Sequence, residues 1–296
     1  MQVYSYQPNR PPVKKRKSKR YRAVAAAFFV LIVAVGLMML QRNQSPSGNQ
    51  ATPASTLTNV ADKKSESKTV APLPNVQSLV EAWAGGNSGS YSIVVDDLDA
   101  KTQLASYRAD EPYFAASIYK LYVAYLGLID AQAGKYSMDE PYLNGWTRAR
   151  CLDEMIRNSY SPCAEKLWAE QGRETSTERL KKYGLTGTNM VGLITTARDV
   201  NVLLGRLYNR QELNEKYTQM LLDPMKGQKY RDAIPAGVPG LIVYDKVGFR
   251  ELVEYHDTAI VTLPNGRNVA ITILTKNAGT RRIADLTKQI FAALQK

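Results

Sequence analysis

The chain has 296 residues, room for one large domain or two ordinary ones, and a formal net charge of +12. That charge is concentrated: Arg10, Lys14, Lys15, Arg16, Lys17, Lys19, Arg20 and Arg22 lie in the first 22 residues, which hold no acid, whereas 27 basic residues face 25 acidic ones from Ala71 onward. A nearly neutral body argues against nucleic acid as a partner. One histidine and two cysteines cannot make a catalytic zinc site, so neither a metal nor a cofactor is expected.

Ala23 to Leu40 is an uncharged run of 18 residues, just long enough to span a bilayer. The basic tail before it, residues 1–22, fits a cytoplasmic N-terminus, with everything after Gln41 outside the plasma membrane. The alternative is a cleaved signal peptide. Its apolar region would be unusually long, and Met38-Met39-Leu40 lacks the small residues that a cleavage site needs. The expectation is a single-pass anchor over residues 23–40. Residues 41–73 are rich in Ser, Thr, Asn, Gln and Pro, too poor in apolar side chains for a core, and read as a flexible tether. The folded domain is expected over residues 74–296, enough for one sizeable core.

Within that domain Val76 to Trp83 predicts a short helix stopped by Gly85-Gly86. Ser90 to Leu98 and Thr102 to Arg108 predict strands turned at Asp99-Ala100. A long apolar helix follows from Phe114 and closes near Gly134. Cys151 to Asn158 and Pro162 to Glu170 predict two helices broken at Ser159-Tyr160-Ser161, Pro162 being suited to a first helical position. Glu174 to Tyr183 is amphipathic and stops at Gly184. Thr196 with Asp199 resembles a capping box opening a helix from Ala197 to Tyr208, and Glu212 to Leu222 reads as helical too. Leu241 to Phe249, Leu252 to Leu263 and Val269 to Thr275 predict three strands, the last two turned at Asn265-Gly266. A final helix, Thr280 to Leu294, carries Ile283, Leu286, Ile290 and Leu294 on one stripe. Strands from both chain ends around a mainly helical block predict an α+β fold, an α/β/α sandwich whose sheet is mainly antiparallel.

The stretch FAASIYKLYVA, Phe114 to Ala124, sets Ser117 three residues before Lys120, so in a helix the two share a face. A serine hydroxyl needs a base before it attacks, and an apolar setting that lowers a lysine's pKa makes the amine one. The structural alternative is that Ser117 caps a core helix and Lys120 snorkels out of it. The spacing by itself discriminates little, because Ser65 and Lys68 repeat it in the polar tether. A Ser-His-Asp triad would have to use His256, which lies beside Asp257 in a predicted strand, and no G-x-S-x-G elbow occurs, so His256 reads as a strand residue satisfied by a neighbour. The tyrosines at 119, 122 and 125 read as core packing. Cys151 and Cys163 either pair outside the membrane or remain two buried thiols; the expectation is the disulfide.

Two further pieces of a lysine-based site are Ser159-Tyr160-Ser161, between two helices, and Lys246-Val247-Gly248, on the strand after the helical block. With Ser117-x-x-Lys120 they resemble the signature of the class A β-lactamases and their penicillin-binding relatives, Ser-x-x-Lys, Ser-Asp-Asn and Lys-Thr-Gly in that order. Met155-Ile156 before the second element and IPAGVPG (Ile234 to Gly240) before the third agree with it. The resemblance covers the chain from about Pro74 to its C-terminus. It implies Ser117 as the acylated nucleophile, Lys120 as its general base or part of the proton path, and Ser159 as the proton donor to the leaving nitrogen. Ser161 and Lys246 would bind substrate, Lys246 through its carboxylate. Gly248 would let substrate lie close to the strand, and the N–H groups of Ser117 and Phe249 would form an oxyanion hole.

The departures are specific. Ser161 stands where the family has an amide, with capping of the helix from Pro162 as its alternative role. Tyr160 replaces an aspartate, and Val247 removes a hydroxyl. From Leu180 to Arg198 no acidic residue occurs, although class A β-lactamases carry there the glutamate that activates water for deacylation. The expected function is an acyl-serine hydrolase acting on a β-lactam or a peptidoglycan stem peptide, with slow or absent release. The alternative is a non-catalytic envelope-binding domain of the same fold.

Overall fold

The computed structural model describes residues 70–250 and 253–295. The basic tail, the apolar run at 23–40 and nearly all of the tether lie outside the described residues. Among those described, no helix is long and apolar enough to cross a membrane.

Helix α1 (Gln77–Gly86) precedes strands β1 (Ser90–Asp97) and β2 (Thr102–Tyr107). Strand β3 (Tyr113–Phe114) leads through a 3-10 turn, Ala116–Ile118, into α2 (Tyr119–Gln132). The helical block continues with the short strands β4 (Pro141–Leu143) and β5 (Trp146–Thr147), then α3 (Arg148–Arg157), α4 (Ser161–Gln171) and α5 (Arg173–Lys182). Strand β6 (Ile194–Thr195), α6 (Ala197–Tyr208), α7 (Glu215–Lys226) and the single turn α8 (Ile234–Gly237) complete it. Strands β7 (Ile242–Arg250), β8 (Glu254–Thr262) and β9 (Asn268–Lys276) and helix α9 (Thr280–Leu294) end the chain.

The main sheet has five strands in the order β2-β1-β9-β8-β7, antiparallel at every step. Strand β1 pairs with β9 from Ser90↔Lys276 to Asp97↔Val269, so the two ends of the domain meet in the middle of the sheet. Helices cover both faces, which explains why the run Tyr91 to Val95 is buried without a break instead of alternating. On one face Ile93, Val95, Val261, Ile271 and Ile273 pack with Val80 and Trp83 of α1 and with Ile283, Leu286, Ile290 and Phe291 of α9. On the other face Ile260 and Ala270 join the larger core of the helical block, built on α2, α3, α4, α6 and α7. The α+β sandwich with an inserted helical block is therefore the observed fold.

Several element boundaries differ from expectation. The helix predicted from Glu212 begins at Glu215, because Asn214 caps it, its Oδ1 accepting from Tyr217 N at 3.1 Å. Glu212 instead accepts from the Tyr125 hydroxyl and pairs with Arg206. Strands β3 to β6 and the turn α8 were not anticipated; they span two to four residues, too short to show a period. The capping box at Thr196 is half made: Thr196 Oγ1 accepts from Asp199 N at 3.1 Å, while the Asp199 carboxylate accepts from Thr188 Oγ1 at 2.7 Å. Tyr119, Tyr122 and Tyr125 are all buried in the helical core.

Candidate active site

The turn that carries Ser117 is held by three neighbours. Strand β3 before it pairs with β6 through Tyr113↔Thr195 and Phe114↔Ile194, and Ala115 N donates to Leu193 O at 2.6 Å. The imidazole of His256, on β8, lies with Nε2 2.9 Å from Phe114 O, and its Nδ1 accepts from Thr275 N at 3.1 Å. A carbonyl on one nitrogen and an N–H on the other fix the neutral tautomer protonated at Nε2. Burial lowers the imidazole pKa to about 4. His256 is thus a buried clasp between β8 and the turn, with no ring nitrogen left for a triad. The third neighbour is β7. A Cβ on Gly248 would lie 3.0 Å from Ala115 O, 3.0 Å from Ile118 N and 2.9 Å from Ile118 Cγ1. Glycine at this position lets the edge strand touch the serine turn itself. Pressed from these sides, Ala116 adopts φ +43°, a conformation that a residue with a Cβ seldom takes.

Ser117 leads directly into α2 through the 3-10 turn and makes no side-chain cap, so the capping alternative does not hold. Lys120 does not snorkel: it is 1% exposed. Its Nζ lies 3.1 Å from Ser117 Oγ, 3.2 Å from Ser159 Oγ and 3.1 Å from Ser161 Oγ, and donates to Ser159 O at 2.6 Å. Ser159, at φ +55°, turns both its carbonyl and its hydroxyl toward the lysine. Lys246, fully buried on β7, places its Nζ 3.1 Å from the same Ser159 Oγ and donates to Val247 O at 2.7 Å. The Ser159 hydroxyl therefore bridges two lysine nitrogens. Ser161 is the first residue of α4 rather than its cap, and no side chain caps that helix. Its hydroxyl faces Lys120. Below this loop Cys151 of α3 and Cys163 of α4 form a disulfide with Cα atoms 5.4 Å apart.

Burial pushes both lysines down. The Lys120 pKa is well below its ordinary value, first because the site is desolvated and second because the charge on Lys246 opposes another. Lys246 falls to about 7, burial outweighing the opposing pull of Asp245 and Asp257. Successive side chains of a strand face opposite ways, so Lys246 faces the serines while Asp245 and Asp257 lie behind the sheet. There Asp257 accepts from Ile234 N at 2.8 Å, and Asp245 pairs with Arg231 at 2.8 Å. Burial raises both carboxyls, and their mutual repulsion raises Asp257 further. Sequence reasoning passed over this layer, although Asp245 stands directly before Lys246; only the register Asp245↔Ala259 and Val247↔Asp257 puts the two acids together.

Of the residues singled out by motif, Ser117, Lys120, Ser159, Ser161 and Lys246 converge on one cluster of polar atoms. Gly248 and Phe249 continue β7, one of the two edge strands of the sheet, where alternate peptide groups have no strand partner. Phe249 is half-buried, its ring 5.7 Å from that of Tyr230. Tyr160 sits on the rim against Trp146, ring centroids 5.5 Å apart. The segment after α5 folds back through the bridge Asn189↔Ile194 into β6 and brings no carboxylate. Among the described residues no cluster of side chains suits a metal ion. Paired lysines and serines of this kind can move a proton between hydroxyls and hold an anion.

An antiparallel sheet between a terminal helix pair and a helical block, with a serine and a buried lysine where sheet and block meet, is the architecture of the serine β-lactamases and penicillin-binding proteins. The chain belongs to the β-lactamase enzyme family, whose model matches residues 75–294. Its fold is similar to that of an ancestral class A β-lactamase (GNCA), with a TM-score of 0.69, 19% identity, and coverage of 74% of this chain and 100% of that one. PBP-A is similar to a comparable degree, with a TM-score of 0.68, 17% identity, and coverage of 76% and 99%. A β-lactamase from Desulfarculus baarsii gives 0.67, 19%, 74% and 97%. No curated protein matches the sequence.

Proposed function

We propose that the protein is a membrane-anchored, extracytoplasmic acyl-serine hydrolase that opens a β-lactam or a D-alanyl peptide bond and releases the product slowly. The observation that carries this reading is the buried amine of Lys120, depressed in pKa and 3.1 Å from the Ser117 hydroxyl. In its neutral form Lys120 takes the Ser117 proton as Oγ attacks the carbonyl carbon. Ser159 passes a proton to the departing nitrogen, and it is suited to do so because its hydroxyl lies within 3.2 Å of both lysines. Lys246 as an ammonium holds the substrate carboxylate, Ser161 lies at the same wall, and the N–H groups of Ser117 and Phe249 receive the oxyanion. Burial lowers both lysines, but the aspartates behind Lys246 oppose its fall while Lys246 itself adds to that of Lys120, which supports Lys120 as base and Lys246 as clamp.

A PBP-A variant of the same fold has been solved as an acyl-enzyme complex with penicillin G, which supports a β-lactam as the first ligand to try. The apolar run at 23–40 and the basic tail before it support the anchor and an external domain, where a peptidoglycan stem peptide is the natural substrate. Slow release follows from the segment Leu180 to Arg198, which has no acidic residue.

The test is intact mass after exposure of the purified full-length chain to a fluorescent penicillin, with Ser117→Ala as control. A penicilloyl adduct on the wild type alone is the expected result. No adduct at millimolar penicillin would reject the chemistry and favour the non-catalytic envelope-binding domain, a reading supported by the simultaneous departures at Tyr160, Ser161 and Val247.

A further inference from the structure

Any release of an acyl group from Ser117 needs a base for water, and the segment after α5 supplies none. The other carboxylates near the site are committed elsewhere. Asp245 and Asp257 lie behind the sheet, bound to Arg231 and to the Ile234 amide. Asp199 is buried and engaged by Thr188. Helix α4 offers a different acid. Its first residue, Ser161, has its hydroxyl 3.1 Å from Lys120 Nζ. Its residue Trp168 packs against Tyr119, the neighbour of Lys120, with ring centroids 5.3 Å apart and the planes tilted by 45°. Positions 161, 165 and 168 form one row along a helix, consecutive members about 5–6 Å apart at Cβ. Glu165 therefore lies in that row, between Ser161, which touches Lys120, and Trp168, which touches Tyr119. Glu165 is exposed to solvent, and among the described residues nothing pairs with it; the cations Arg148 and Lys166 pair with Glu170 instead.

We propose that Glu165, carried on α4 and not on the segment after α5, is the general base that activates water to release the acyl group from Ser117. This rests on the acyl-serine reading above. In the step, the Glu165 carboxylate accepts a proton from water as the water oxygen bonds to the acyl carbonyl carbon. The tetrahedral adduct then collapses, its C–Oγ bond to Ser117 breaks, and the proton held by Glu165 reaches Ser117 Oγ through Lys120. Acyl-serine and water become serine and a free carboxylic acid, with no other reactant. The charge on Glu165 also reaches this region electrically: it raises the pKa of Lys120 and of Tyr119, opposing the effect of Lys246 on Lys120. Removing that charge favours neutral Lys120, so acylation and release should respond to it in different ways.

The experiment labels the full-length chain with a fluorescent penicillin, removes free ligand, and follows loss of the penicilloyl mass in H2O and D2O for wild type and Glu165→Gln. The expected result is an adduct on both, cleared from the wild type with a solvent isotope effect, and cleared at least tenfold more slowly from Glu165→Gln without one. Equal clearance from the two proteins, or a wild-type adduct that forms and never clears, would overturn the role of Glu165 and leave the acyl-serine reading standing. Absence of any adduct would overturn both.

Discussion

Lys120 and Lys246 show how two identical side chains acquire different chemistry from their surroundings. Each is buried, which favours the neutral amine, but Lys246 has two aspartates behind it and Lys120 has a second lysine in front. Both amines are shifted toward the neutral form, and only at Lys246 do carboxylates behind the sheet oppose that shift to a value of about 7. The pH dependence follows with its sign. On the proposed mechanism a substrate carboxylate is held only by the ammonium form of Lys246, whose pKa burial lowers to about 7. The second-order rate of acylation, which reports the free protein, should therefore fall above about pH 7 for a β-lactam with a free carboxylate. The methyl ester of the same compound reacts more slowly throughout and should lack that alkaline limb. Stopped-flow labelling from pH 5 to 9 checks both. An equal limb for acid and ester would assign the fall to another group.

The site lies where elements meet, and the contact between β7 and the serine turn has no slack. Gly248→Ala would push a methyl group against Ala115 O and Ile118 N, both backbone atoms about 3.0 Å away. Overpacking of this kind costs about 1–3 kcal/mol, here concentrated on the turn that aims Ser117. We expect a modest loss of thermal stability together with at least a hundredfold loss of acylation rate, because small misplacements of a nucleophile are expensive. Loss of stability with full activity would mean that the turn yields without moving the hydroxyl. The loop bearing Ser159 and Ser161 is restrained differently. A disulfide spanning 12 residues contributes about 3 kcal/mol on the chain-entropy view. It ties α3 to α4 on either side of the left-handed Ser159.

Across the molecule, the sheet gathers strands from both ends of the domain, so neither end can form it alone. Helix α9 closes one face with Ile283, Leu286, Ile290, Phe291 and Leu294, all buried. At about 1.5–3 kcal/mol for each side chain, those five match the entire net stability of a typical domain, about 5–15 kcal/mol. A chain truncated after Gly279 should lose cooperative unfolding and penicillin labelling together. Calorimetry and labelling on the same preparation test this, and retained labelling would show that the helical block and β7 hold the site without the far layer.

The order of the longer elements, the stripe on α9, the serine-lysine spacing and the three-part motif were all legible in the chain, because periodicity and short spacings are local properties. The same local pattern could not say whether Lys120 leaves the core or stays in it, since the answer depends on Ser159 and Ser161, about forty residues away. Nor could it show that His256 clasps Phe114, that Gly248 abuts the serine turn, or that Asp245 and Asp257 lie together behind Lys246. Those relations are set by strand register and by the packing of the helical block on the sheet edge. The sequence by itself determined which family the chain belongs to and which side chains to look for at its candidate site. The tertiary structure alone decided their burial, and with it the lowered pKa of the two lysines, because desolvation depends on every neighbour that folding brings near.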